Sequence, residues 1–81
     1  MTRKETLAAN LRTLRQKHGL TLTQVGEMTG LHWSTVANWE LGHHGASVFP
    51  LAELADFYGV SVDWLIGRAD RAGNLIEEAG K

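Results

Sequence analysis

The stretch 20–42, LTLTQVGEMTGLHWSTVANWELG, decides the fold, because it reads as two short helices joined by a tight glycine turn. Thr21 and Gln24, three apart, form a capping box in which each side chain satisfies a free backbone N–H, so a helix starts near Leu22. Val25 and Met28 give that helix one buried stripe. Gly30 closes it, since glycine takes a left-handed backbone without steric penalty. The second helix runs from about Trp33 to Leu41. At about 100° per residue, Val36, Trp39 and Glu40 fall on one side and Ser34 and Asn38 opposite, one turn apart. A polar pair therefore faces away from the core. Gly26, inside the first helix, is unfavourable by ~1 kcal/mol relative to alanine; the missing side chain there predicts a close approach by the second helix.

Working outward, three more helices and no strand are expected. Thr2 with Glu5 is a second capping box, and Leu7, Leu11 and Leu14 recur at helical spacing, placing a first helix from about Arg3 to His18, stopped by Gly19. After the breakers Gly42 and Gly45, Ser47 caps a helix from about Val48 to Tyr58. Pro50 is tolerated in its first turn. Leu51, Leu54, Ala55 and Tyr58 form its buried stripe, and Ser61 starts a short fifth helix, VDWLI, ended by Gly67. Trp39 and Trp64 are expected in the core. Residues 1–67 thus read as one all-α unit, and 68–81 as a charged tail, disordered or a short helix, with one apolar pair at Leu75 and Ile76.

Eighty-one residues support a single modest core, near the size at which oligomerisation often adds stability. With no cysteine there is no disulfide framework, no CxxC zinc site and no thiol nucleophile. No apolar run approaches the ~20 residues that span a bilayer, and MTRKETLAANL is a charged helix start rather than a signal peptide. A cytoplasmic protein without membrane partners is expected. The net charge of −1 and pI of about 6.4 weigh against nucleic acid, because phosphate neutralisation by Lys and Arg supplies most non-specific affinity. The distribution softens that objection: Arg3, Lys4, Arg12, Arg15 and Lys17 fall in the first helix, whereas Glu53, Asp56 and Asp63 come later.

Three strings in order resemble a known family. LRTLR at 11–15, the segment 21–42 with Gly30, Val36, Trp39, Glu40 and Gly42, and GVSVDWLIG at 59–67 make the chain similar to the lambdoid-phage repressor and Cro class (XRE-type) of helix-turn-helix proteins. The resemblance implies a compact five-helix, repressor-like domain. It also implies a sequence-specific DNA-binding transcriptional regulator, a repressor, that docks helix three in the major groove of a double-stranded operator as a homodimer.

Position by position, the resemblance places Trp33, Ser34 and Asn38 where the family's recognition helix reaches base edges. Asn can bond adenine N6 and N7 together, and Ser can donate or accept. For Trp33, at the margin of the buried face, packing and a DNA-facing role, for instance against a thymine methyl, both stand. His32 and Leu41 match positions at or beside phosphates, though Leu41 has no side-chain donor. Leu22 stands where relatives commonly carry Gln, leaving only a backbone N–H at a helix N-terminus for phosphate. Thr21 is a further backbone contact, although capping alone also explains it. Arg15 and Glu40 match a salt-bridged pair that orients Arg15 near the DNA backbone; the alternative is two solvated charges.

Four histidines invite a metal reading, which their spacing does not support: His43 and His44 are adjacent, and no Cys, Asp or Glu sits nearby at ligand spacing. Their loop instead stands where relatives carry Lys or Arg against phosphate, with charge appearing only near or below pH ~6.5. An exposed loop without a role is the other reading. No nucleophile-elbow or metal-hydrolase string occurs, so neither catalysis nor a cofactor is expected. The competing class is a protein-interaction module or antitoxin-type helix-turn-helix domain with a protein partner, supported by the near-neutral charge and by apolar Leu22, Trp33 and Leu41 at the surface a duplex would meet.

Overall fold

Reciprocal capping sets where the first two helices begin. In the computed structural model, which describes residues 2–43, 48–70 and 74 and the backbone alone at 48 and 49, the Thr2 hydroxyl accepts from the Glu5 N–H at 3.1 Å while the Glu5 carboxylate accepts from Thr2 N–H at 2.9 Å. Thr21 and Gln24 repeat the arrangement at 3.1 and 2.8 Å. The helices that follow are α1 (Arg3–Lys17), α2 (Leu22–Thr29), α3 (Trp33–Glu40), α4 (Val48–Tyr58) and α5 (Val62–Leu65), the order expected from the sequence. Ser61 caps α5 by accepting from Trp64 N–H at 3.0 Å. Pro50 lies in the first turn of α4, where a missing N–H breaks no helical bond. Ser47, Gly45, His44 and the pair Leu75 and Ile76 lie outside the described residues.

Every helix contributes to one core. Leu7, Leu11 and Leu14 of α1 meet Val25 of α2, Val36 and Trp39 of α3, Leu51, Leu54, Ala55 and Tyr58 of α4, and Leu65 of α5. Burying a side chain of this size stabilises by about 1.5–3 kcal/mol, so the apolar spacing that defines each helix also supplies the force that assembles them. α1 holds α5 by hydrogen bonds as well: the Asn10 amide donates to the carbonyls of Trp64 at 3.3 Å and Leu65 at 3.0 Å. Among the described residues no helix is long and apolar enough to cross a membrane.

Two expectations about packing are corrected. Met28 is 62% exposed, not part of the inner stripe of α2. That helix turns Val25 and Gly26 inward instead, because α3 crosses it over Gly26, and this rotation carries Met28 to the solvent side. Trp64 packs against the core with only part of its surface covered, since α5 is four residues long and lies at the edge.

The α2–α3 crossing depends on Gly26. A Cβ at that position would stand 2.6 Å from the Leu31 carbonyl oxygen and 3.2 Å from the Trp33 nitrogen, both backbone atoms that cannot swing aside. Gly30, at φ 79°, reverses the chain just beyond, and the N–H groups of Gly30 and Leu31 both donate to the Gly26 carbonyl at 2.9 and 3.0 Å. Replacing Gly26 by Ala should therefore destabilise by about 1–3 kcal/mol or more, despite the ~1 kcal/mol that helix propensity returns. Urea unfolding of the variant measures this, and an unchanged or raised midpoint would mean that the two helices do not meet so closely.

Tyr58 places a hydroxyl in the core without a hydrogen-bond partner among the described residues. Its ring lies against Phe57 and His18, with centroids 5.0 and 5.5 Å away. Burial pushes its pKa up to about 12, with the Glu40 carboxylate adding to the rise. The unfolded chain ionises this phenol near pH 10, whereas the folded chain holds the proton to about pH 12. Within that window the folded state binds more protons, and stability falls as pH rises. Tyr58→Phe should be at least as stable as the parent at pH 7, since it removes an unpaired buried polar group, and should lose stability less steeply over the alkaline window. Equal slopes for the two proteins would show that groups other than Tyr58 cause the decline.

Candidate nucleic-acid interface

α3 divides into two faces. Val36, Trp39 and Glu40 are buried against α1 and α2. Trp33, Ser34, Ala37, Asn38 and Leu41 share the opposite side, with Trp33 50% and Leu41 59% exposed and the three between them partly exposed. Trp33 and Leu41, eight residues apart, are separated by about 12 Å at 1.5 Å per residue, so the face is two turns long.

The inner face is fixed to α1 by charge. Both oxygens of Glu40 receive N–H groups from the Arg15 guanidinium, Nε to Oε2 at 2.8 Å and Nη2 to Oε1 at 2.9 Å. The Glu40 side chain is 5% exposed and that of Arg15 18%. Arg15 also donates to the Leu20 carbonyl at 3.0 Å, tying the α1–α2 turn to the end of α3. The Glu40 carboxylate holds the Arg15 guanidinium more firmly protonated than usual, chiefly through these hydrogen bonds. Arg12 adds a contact that sequence reasoning missed: its Nη2 donates to the Glu40 backbone carbonyl at 2.7 Å. The last carbonyls of a helix lack partners and carry partial negative charge, so a cation one helix away is well placed there. One residue of α3 is thus held at both its side chain and its main chain.

The remaining candidates occupy distinct places. Asn38 presents its carboxamide without a hydrogen-bond partner among the described residues, while its backbone carbonyl accepts from His43 N–H at 3.0 Å. Ser34 is engaged: its hydroxyl lies 2.6 Å from Nδ1 of His32. Trp33 has its backbone against Gly26 and its indole exposed beside the His32 ring, centroids 5.7 Å apart; of the two readings open for it, packing in the core is excluded. His32 is the N-cap of α3 and accepts from Ser34 N–H through Nδ1 at 3.2 Å. Nothing in the usual preference for Ser, Thr, Asp or Asn at such a position signals an imidazole cap. Thr21 is exposed and Leu22 only partly so, packing against the core. Leu22 therefore adds less bare apolar surface than its sequence position suggests. His43 is exposed.

Ala37, at the centre of the outward face, is a second omission. It lines a shallow groove with Arg12, Leu22 and Leu41, and a side chain with no chemistry of its own gives no signal in a sequence. Among the described residues no three of His, Cys, Asp and Glu come together in a way that could hold a metal ion.

A helix-turn-helix family model matches residues 11–65. The chain is 37% identical over 67 residues to YobD of Bacillus subtilis (strain 168), an uncharacterized HTH-type transcriptional regulator, with 83% of this chain and 60% of YobD covered. It thus spans about three fifths of that relative's length. In structure it resembles the BldD DNA-binding domain of S. venezulae, with TM-score 0.66, 41% identity and coverage of 76% of this chain and 93% of that one. It also resembles a transcriptional regulator from Listeria innocua, with TM-score 0.70, 28% identity and coverage of 93% and 64%.

The asymmetric burial of the Arg15–Glu40 pair predicts an asymmetric response to mutation. Arg15→Met leaves a buried carboxylate unpaired and should cost about 3–5 kcal/mol. Glu40→Met should cost less, because the long Arg15 side chain can carry its head group to water. The double variant should be more stable than Arg15→Met alone, as it leaves no orphan charge. Additive losses in a urea double-mutant cycle would show that the two groups do not couple.

Proposed function

The chain belongs to the helix-turn-helix family, and on that premise we propose that it is a sequence-specific DNA-binding transcriptional regulator, a repressor, that docks α3 in the major groove of a double-stranded operator. The observation that carries this reading is the division of α3: a buried face anchored to α1 and an outward face on which the Asn38 carboxamide has no partner among the described residues. A helix of this diameter fits the major groove, where each base pair presents a distinct pattern of donors and acceptors. Asn38 bonds the N6 and N7 edge of adenine, Ser34 a neighbouring base, and the exposed indole of Trp33 packs on a thymine methyl.

Around these, Thr21, His32, the Leu22 backbone N–H at the N-terminus of α2, and His43 with His44 meet phosphates. Arg15 acts chiefly through Glu40, as a positioning group. The cations of α1 offset the acidic remainder of the chain, and Arg12 and Lys4 line a groove that reaches Leu41 and Gly42 at the end of α3. Two copies on half-sites one helical turn apart, about 34–36 Å, give a homodimer that reads twice the sequence one α3 can. The protein acts in the cytoplasm, where occupation of the operator excludes polymerase, and the reading calls for no catalytic group or cofactor.

One observation favours a second reading. Trp33 and Leu41 are both exposed on the face that Ala37 bridges, and apolar surface of this kind also suits a protein partner, as in an antitoxin-type module. Salt separates the two: binding to duplex DNA releases counterions and weakens steeply with ionic strength. Fluorescence anisotropy with random duplex across a salt series should show that slope, and no binding at low salt would favour the protein partner. On a selected site, Asn38→Ala should keep the fold, weaken binding by ~1–3 kcal/mol and relax one base position. Unchanged base discrimination would remove Asn38 from the readout.

A further inference from the structure

We infer that His32 fixes the hydrogen-bonding polarity of Ser34, making Ser34 an acceptor that selects bases presenting an amino group in the major groove. The inference rests on the reading of α3 as the recognition helix and specifies what one of its positions recognises.

The argument starts from a donor whose direction is not in question. The Ser34 backbone N–H can only donate, and it points at Nδ1 of His32 at 3.2 Å. A proton on Nδ1 would face that N–H across the same gap, donor against donor. Nδ1 is therefore the bare nitrogen, and a neutral imidazole carries its proton on Nε2. The Ser34 hydroxyl reaches the same bare nitrogen at 2.6 Å, so the hydroxyl must donate to it. The two donors share one lone pair, with the hydroxyl in the shorter contact. Ser34 has a single hydroxyl proton. With that proton turned inward, only the oxygen lone pairs remain for a partner beyond the protein surface.

In the major groove this decides which bases fit. Adenine N6 and cytosine N4 present N–H donors, whereas guanine presents only N7 and O6 and thymine only O4. A free serine hydroxyl serves either kind of base by rotating about its C–O bond. Held by His32, it accepts only. Adenine and cytosine are bonded, and guanine and thymine bring acceptor against acceptor. His32 is thus a positioning residue whose effect is read at a base it does not touch.

The test has two arms. The first needs no DNA: at pH 8, 15N NMR of the full chain should show His32 as the Nε2–H tautomer, and a protonated Nδ1 would overturn the inference. The second selects sites from a random duplex library. The parent should prefer adenine or cytosine over guanine or thymine about three- to tenfold at one position, a ratio in the range of a single net hydrogen bond. Ser34→Ala should abolish the preference at that position alone. His32→Ala, with helix content checked by circular dichroism, should bind duplex more weakly overall for want of its phosphate contact, yet admit guanine and thymine there while keeping the base ratios at the position read by Asn38. An unchanged ratio among the sites that His32→Ala still selects overturns the role of His32 and leaves the DNA-binding reading standing. No duplex binding by the parent at low salt overturns both.

Discussion

The bidentate contact between Arg15 and Glu40 is the constraint on which the geometry of α3 depends. Its energetic contribution is not the main point, since a well-packed hydrophobic pair of similar volume can stabilise a fold as well as a buried ion pair does. Its direction matters more. Apolar contacts among Leu11, Val36 and Trp39 tolerate small slides and rotations, whereas two parallel N–H···O bonds at 2.8 and 2.9 Å fix one rotation of α3 about its axis. With Arg12 on the Glu40 carbonyl and Arg15 also on the Leu20 carbonyl, α1 locks the end of α3 and the α1–α2 turn together. The outward face is therefore presented at a set angle by groups on the far side of the helix.

The other end of α3 is set by an absence. At Gly26 the backbone of the turn comes so close that no side chain fits, and the entry to α3 is pinned against α2 through main-chain atoms. One end of the helix is thus positioned by van der Waals exclusion and the other by charge. The two kinds of restraint differ in reach and direction, and together they leave α3 little freedom to tilt.

Much of this was legible in the sequence because local chemistry decided it. The capping boxes at Thr2 and Thr21, the glycine stop at Gly30 and the apolar spacing of α1 and α4 specify each helix without reference to its neighbours, and the structure follows them. The burial of Glu40 opposite Asn38 also follows from helical periodicity. What periodicity did not give was the rotation of α2, which left Met28 in solvent, because the choice between adjacent faces was made by the approach of α3. The same holds for the site. The outward position of Asn38 follows from spacing, whereas the Arg12 contact joins residues 28 apart in the chain and Ala37 has no functional group to notice. The imidazole cap on Ser34 is hidden for a different reason: His is not a favoured cap, and only the folded structure brings its Nδ1 onto the hydroxyl and N–H of Ser34.

Because the restraints on α3 all reach it from behind or from its ends, the side chains of Ala37, Asn38 and Leu41 take no part in them. Their identities can change without disturbing the anchors, so the surface offered to a partner can diverge while the scaffold stays the same. Trp33 and Ser34 are the exceptions, both set against the His32 ring. A designer wishing to retarget this chain could therefore randomise 37, 38 and 41 independently, but would have to vary 32, 33 and 34 together.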